Sequence, residues 1–258
     1  MKQILIIPDC QNINVSVALA KNYGAGFEYN NFSAPEVLDD SEKLEQIITN
    51  YKKADLPEYC TMHGAFFDVI PFSPDCKIRE VSDLRIRQSI EAARNIGAKG
   101  IVFHTNYNPF LNSESYIKGW VETNAAYWSG VLEQNPQVNI YLENMFDVVP
   151  DMLEQLSEQL CQYKNYGVCL DYAHAFLSKT APEEWARRLS RFVKHIHIND
   201  NDGISDLHMA WGDGVISKEG FYQSYDKYLN GASVLIETSG VENIKKSLVR
   251  LKQDGFLE

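Results

Sequence analysis

Asn139-Ile-Tyr-Leu-Glu143 and Gly167-Val-Cys-Leu-Asp171 are short apolar runs, each closed by a carboxylate. Such a run reads as a buried strand that delivers its last side chain at the C-terminal tip. The pattern recurs on both sides. Tyr59-Cys-Thr-Met-His63 and Gly100-Ile-Val-Phe-His104 precede it, and Val193-Lys-His-Ile-His197 and Val234-Leu-Ile-Glu237 follow it. Side chains two apart share a strand face, so Val102 lies with His104, Tyr141 with Glu143, Cys169 with Asp171 and Leu235 with Glu237. The opposite face carries Ile101, Phe103, Leu142, Leu170 and Ile236. Both faces are apolar, as in a parallel sheet covered by helices.

Two more apolar stretches, Gln3–Ile7 and Gly26–Asn30, bring the predicted strands to eight, the others being Tyr59–His63, Gly100–His104, Asn139–Glu143, Gly167–Asp171, Val193–His197 and Val234–Thr238. Helical segments lie between them. One opens at Ser33-Ala-Pro-Glu36, where Ser33 is the expected cap. Ser82–Ile96 carries Leu84, Ile90 and Ala93 on one face and stops at Gly97, where a left-handed cap is expected. Another opens at Pro182-Glu-Glu-Trp185, with acidic residues where the helix dipole favours them. Strand and helix alternating eight times predict an α/β protein. The 258 residues match the ~250 of a (β/α)8 TIM barrel, expected as a single domain over residues 1–258.

The strand-end side chains, with two more pairs nearby, make a row of metal-binding types: His63, His104, Glu143, Asp171, His174, His197, Asp206, His208 and Glu237. Barrel enzymes carry their chemistry at the strand C-termini, so a polynuclear metal site is the expected function-bearing feature. A carboxylate at the end of an apolar strand is costly to bury unless a cation or a proton compensates it. Asp171-Tyr-Ala-His174 spans one helical turn, and Asp206-Leu-His208 puts two ligand types on one side of an extended segment. Five of the six histidines in the chain fall at such positions. The sixth, His195, lies one layer deeper than His197 and reads as a core residue that orients a ligand. Cys169 reads as barrel filling. Imidazole and carboxylate ligands together suit divalent ions such as Zn or Mn, one to three per chain. Phe66, Tyr107 and Trp211, with other aromatic residues of the presumed loops, are expected to form a wall for a sugar's apolar face.

The formal charge of −11 and the scattered basic residues give no stripe for a nucleic acid, which is not an expected partner. A small-molecule sugar is, and a homo-oligomer is compatible. No run approaches the ~18 apolar residues of a membrane helix. The apolar stretch after Met1 is too short for a secretory signal, and five dispersed cysteines fit reduced thiols, so a cytoplasmic location is expected.

His63-Gly-Ala-Phe-Phe-Asp-Val-Ile-Pro-Phe-Ser-Pro-Asp75, Ile78-Arg-Glu80, Ile101–His104, Leu142-Glu-Asn144, Leu170–His174, His195–Gly203 and Asp206–Gly214 resemble motifs of the xylose isomerase-like TIM-barrel superfamily. The resemblance runs through nearly all of residues 59–240. It covers two branches, the sugar phosphate isomerases/epimerases and the endonuclease IV group (AP endonuclease family 2). The first implies one divalent ion held by Glu143, Asp171, His197 and Glu237, with Glu143 and Glu237 exchanging the proton beside a substrate carbonyl through an enediolate. The second implies three zinc ions on all nine residues and phosphodiester hydrolysis, as in DNA repair. The loops depart from the second branch. Met145–Val149 replaces a Gly-rich turn, Asn199-Asp-Asn-Asp202 lacks a lysine, Leu207 stands for an arginine, and Asn30–Ala34 lacks a basic DNA-penetrating loop. Those losses remove the phosphate contacts on which DNA affinity depends. A metal-dependent isomerase or epimerase of a small sugar, polyol or sugar phosphate is therefore the first expectation and the zinc phosphodiesterase the second.

Overall fold

In the computed structural model, which describes residues 2–257, eight parallel strands close into a barrel in chain order. They are β1 Ile4–Ile6, β2 Gly26–Tyr29, β3 Cys60–His63, β4 Gly100–His104, β5 Asn139–Glu143, β6 Tyr166–Asp171, β7 Val193–Ile198 and β8 Ser233–Ile236. Each expected strand is present within a residue or two of its expected ends. The barrel closes where Leu5 of β1 pairs with Leu235 of β8. Around it run α1 Ile13–Tyr23, α2 Pro35–Leu38, α3 Ser41–Lys52, α4 Cys76–Ile96, α5 Glu114–Gln134, α6 Asp151–Leu160, α7 Tyr172–Leu177, α8 Pro182–Leu189, α9 Lys218–Ser224 and α10 Val241–Gln253, with a π-helical turn at Tyr225–Leu229. No helix among the described residues is long and apolar enough to cross a membrane.

The alternation along the strands sorts side chains as expected. Ile101, Phe103, Leu142, Leu170 and Ile236 join the large core between sheet and helices, while Val102, Tyr141 and Cys169 form a separate cluster inside the barrel. Gly100 makes room for this interior packing. A Cβ on it would sit 2.4 Å from the Tyr141 ring, so no other residue fits there without displacing the tyrosine.

Local details differ at three points. Ser33 caps no helix: its hydroxyl bonds the Asn30 carbonyl, Ala34 precedes the short α2, and Asp40 caps α3 through the Lys43 amide. The long α4 begins at Asp75, not Ser82, because the Asp75 carboxylate captures the Lys77 amide. Leu84 on α4 is about half exposed; Ser82, Ile86, Ser89, Ile90 and Ala93 make the buried stripe instead. Small residues there let the helix lie close to the sheet. Gly97 takes the left-handed cap and Pro182 opens α8, as expected.

Candidate metal centre

All nine expected residues gather at the C-terminal end of the barrel, in three adjoining groups. Each group's ligand atoms lie within 4.8 Å of one another. The first is His63, His104 and Glu143; the second Glu143, Asp171, His197 and Glu237; the third His174, Asp206 and His208. Glu143 belongs to two of them. Its Oε2 is 3.5 Å from His63 Nε2 and 3.4 Å from His104 Nε2, and its Oε1 is 3.4 Å from His197 Nδ1. The third group closes on Asp206 Oδ2, 3.2 Å from His174 Nε2 and 3.1 Å from His208 Nε2. Donors bound about 2.0–2.2 Å from one tetrahedral ion stand roughly 3.3–3.6 Å apart. The spacing therefore suits ligands of a shared ion.

Local backbone structure aims several of these side chains. Asp171 ends β6 and caps α7, its Oδ1 accepting the His174 amide at 2.5 Å, which leaves Oδ2 free. That explains the Asp-x-x-His spacing. Carbonyl oxygens sit 3.0 Å from His63 Nδ1 (Gly64), 2.9 Å from His174 Nδ1 (Asn144) and 3.1 Å from His208 Nδ1 (Glu237). A carbonyl only accepts, so in each case Nδ1 carries the proton and Nε2 is turned into the cluster.

Asp206 and His208 depend on a buried clamp. Asp200 exchanges two backbone hydrogen bonds with Met209, and its carboxylate accepts the amides of Gly212 and Ile216. A Cβ on Gly214 would lie 2.1 Å from the Asn201 carbonyl oxygen, so only glycine lets the loop return so close to the strand end. His208 takes φ +48, an uncommon conformation for a non-glycine residue, with its carbonyl held by the Thr238 hydroxyl at 2.7 Å.

Both oxygens of Glu143, Oδ2 of Asp171, Oε2 of Glu237 and Nδ1 of His197 are buried without a hydrogen-bond partner. An uncompensated buried carboxylate costs roughly several kcal/mol, so the donor set fits divalent cations, and its mixed imidazole and carboxylate character suits Zn, Mn, Fe or Co. Burial, aided by the nearby Glu237 and Glu143 carboxylates, raises Asp171 to about 7 against the pull of His174. Burial also works against Glu237, but His197 and His208 outweigh it and hold that carboxyl at about 2. For His208, the Asp206 and Glu237 carboxylates overcome burial and raise the imidazole to about 9. Protons on Asp171 and His208 must leave before these groups can ligate. Metal uptake at neutral pH is thus expected to release protons, with apparent affinity rising with pH through neutrality to at least pH 9 as Asp171 and the raised imidazoles of His208, His174 and His197 lose theirs. Calorimetry in buffers of different ionisation enthalpy reads this directly. A heat independent of the buffer would sink it.

A cavity of about 520 Å³ opens over the cluster. His63, His104, His174, Asp206, His208 and Glu237 reach its wall, together with Phe66, Phe67, Met145, Asn30 and Ser33. No lysine or arginine is among the residues lining it. Of the three aromatic residues expected to meet substrate, Phe66 lines the cavity and the other two do not. Tyr107 is buried, its ring edge-on to Trp120. Trp211 is fully buried against Phe221, with Nε1 donating to the Tyr222 hydroxyl at 3.3 Å. Both fill space beneath their loops because that removes a large apolar ring from water.

Glu28, in the middle of β2, is a feature that sequence reasoning missed. It points into the barrel beneath the cluster, fully buried, 3.0 Å from His195 Nε2 and 3.1 Å from His197 Nε2. Burial opposes its ionisation, but the two imidazoles outweigh this and hold it well below the carboxylate range. His195 thus sits in the layer expected for it, below His197.

The family model described as Xylose isomerase-like TIM barrel matches residues 17–253. The chain belongs to this family. Among relatives, uncharacterized protein MJ1311 of Methanocaldococcus jannaschii is 26% identical over 203 residues, covering 74% of this chain and 68% of the relative. MJ1614 of the same organism is 28% identical over 204 residues, 75% of this chain and 76% of the relative. The fold is shared with the TTHB071 protein from Thermus thermophilus soaked with ZnCl2, with TM-score 0.78, 22% identity and coverage of 98% of this chain and 97% of that one. It is also shared with a D-tagatose 3-epimerase-like protein, with TM-score 0.76, 21% identity and coverage of 98% and 96%. D-psicose 3-epimerase from Clostridium cellulolyticum, solved with D-tagatose, matches with TM-score 0.72 and 12% identity over 100% of this family member and 99% of that chain.

Proposed function

We propose that this family member is a metal-dependent isomerase or epimerase of a small sugar or polyol that carries no phosphate. The observation that carries this reading is the second group, Glu143, Asp171, His197 and Glu237, whose Glu237 lines a cavity with no lysine or arginine among its described lining residues. A phosphorylated substrate would find no lysine or arginine among the described residues of that wall, where His174 and His208 are engaged by Asp206. The fold shared with sugar epimerases agrees with the reading.

A divalent ion bound here supplies Lewis acidity to the substrate's carbonyl and hydroxyl oxygens, a stabilisation worth several kcal/mol. The chain's own residues divide the rest. Glu237 lines the cavity wall, where its carboxylate would take the proton from the carbon beside the carbonyl and return it to the former carbonyl carbon, the hydroxyl proton passing to the former carbonyl oxygen. Glu143 does not reach the wall, and its oxygens lie among four histidines, so it holds the cluster together. The expected acid–base pair thus becomes one proton carrier and one shared ligand, which favours isomerisation on one face. Phe66 and Phe67 offer the apolar wall of the cavity.

A second reading, hydrolysis of a small phosphoester by three ions, is favoured by one observation. The first and third groups are complete, and the first shares Glu143 with the second. Two measurements separate the readings: metal content of protein purified without chelator, and incubation of the loaded enzyme in D2O with a panel of ketoses and with bis-p-nitrophenyl phosphate. Deuterium entering a ketose supports the isomerase. Nitrophenol release without any deuterium uptake, from protein loaded in all three groups, would replace it with the hydrolase.

A further inference from the structure

His197 differs from the other histidines of the cluster whose partners define a tautomer. His63, His174 and His208 give Nδ1 to a carbonyl and turn Nε2 inward. His197 instead turns Nδ1 towards Glu143 Oε1 and Glu237 Oε2, both at 3.4 Å, and places Nε2 3.1 Å from Glu28 Oε1. An ionised carboxylate accepts and cannot donate. Nδ1 faces carboxylates as well, so it is the ligating nitrogen only when an ion occupies the group; Nε2, whose 3.1 Å approach to Glu28 Oε1 lacks hydrogen-bond alignment, is then the nitrogen that carries the proton.

Glu28 is itself held by buried groups of the neighbouring strands. Its Oε2 accepts the Thr61 hydroxyl at 2.6 Å and faces His195 Nε2 at 3.0 Å. The same logic makes His195 Nε2 a donor, so His195 Nδ1 accepts from the Ser233 hydroxyl, 2.7 Å away. Tyr141 stacks on the His195 ring at 5.6 Å and 20°. Glu28, Thr61, His195 and Ser233 are all buried. Four strands, β2, β3, β7 and β8, thus converge on one carboxylate whose free side faces a single imidazole.

We propose that Glu28 is a positioning residue for the central metal group: it fixes His197 with Nε2–H towards the barrel interior and Nδ1 towards the ion, while Thr61 and the His195–Ser233 pair fix Glu28. This rests on the metal reading of the cluster given above. Buried partners of this kind are typically worth about 10- to 100-fold in metal affinity. A general packing role for Glu28 would instead lower stability and loosen all three groups alike.

The test compares wild type, E28A and E28Q in the full chain, with zinc alone as the probe. Zinc retained against graded chelator is counted, and the side-chain resonances of His197 are read by 1H–15N NMR in zinc-loaded protein. E28A is expected to weaken the central ion by about 10- to 100-fold, leave the third group's ion in place, and broaden or lose the His197 Nε2–H signal. E28Q, whose amide oxygen still accepts, is expected to keep that signal, shifted upfield by the lost charge, with a smaller loss of zinc. Should E28A fail to fold, E28Q decides: zinc affinity and an Nε2–H resonance both unchanged from wild type would overturn the proposal. So would E28A holding the central ion as tightly as wild type, or zinc found on Nε2 of His197. A wild type that binds no zinc, manganese or cobalt overturns the metal reading and this proposal together, whereas a zinc-loaded wild type matched by E28A overturns the role of Glu28 alone.

Discussion

Glu237→Gln is expected to stop solvent deuterium from entering the substrate, a loss of about 10²- to 10⁴-fold, the usual contribution of a positioned acid–base group. The replacement keeps the shape of the side chain and an oxygen that can still approach the ion. It removes the charge that His197 and His208 stabilise, and with it the ability to accept a proton. Because Glu237 is also within 3.4 Å of His197 Nδ1 in the central group, the same sample needs its metal counted. Metal retained with exchange lost assigns the proton transfer to Glu237. Metal retained with exchange at the wild-type rate would remove Glu237 from the chemistry, and the proton carrier would have to be sought in the third group.

Glu143→Gln is expected to have the widest effect on metal content of any single change. Its two oxygens face different groups: Oε2 towards His63 and His104, Oε1 towards His197. One neutral amide cannot serve both, since it offers one oxygen where the carboxylate offers two. Ions of the first and second groups should be lost together, while the His174–Asp206–His208 group stays loaded. Asp206→Asn should do the reverse, emptying the third group and sparing the other two. Element analysis after dialysis reads both variants. Independent loss of one ion at a time in Glu143→Gln would show that the carboxylate is not shared, and would weaken the three-ion hydrolase most.

The residues that gather at the cluster were legible because a strand's period of two is rigid. Once Tyr141 faces inward, Glu143 does too, and closure of the barrel does the rest. Their division into groups was not legible, because it depends on which oxygen of Glu143 turns to which imidazole. Glu28 was missed for a related reason. In Gly-Phe-Glu-Tyr the glutamate alternates with aromatic residues, which in most strands marks the solvent side. In a closed barrel that side is the interior, and a lone carboxylate there has to meet a donor; His195, already read as lying below His197, was the available signal. Tyr107 and Trp211 misled in the opposite direction. Aromatic residues in loops serve packing as readily as ligand contact, and sequence carries nothing to separate the two. Leu84 sat on an assumed buried face of α4, but the stripe that α4 buries includes Ser82, Ser89, Ala92 and Ala93 instead.

The stretch from Asn199 to Ser217 is folded about Asp200 and Gly214 and tied to the rest of the barrel through the Thr238, Lys246, Ser247 and Arg250 side chains. It brings Asp206 and His208 without taking any residue from the strands that carry the other two groups. The third group is in that sense an accessory, clipped to a floor that is complete without it. Exchanging this one segment, with its clamp kept, would change how many ions the scaffold carries and leave the ligands of Glu143 untouched. On the three-ion reading, swapping this loop would take such a barrel from three ions to two.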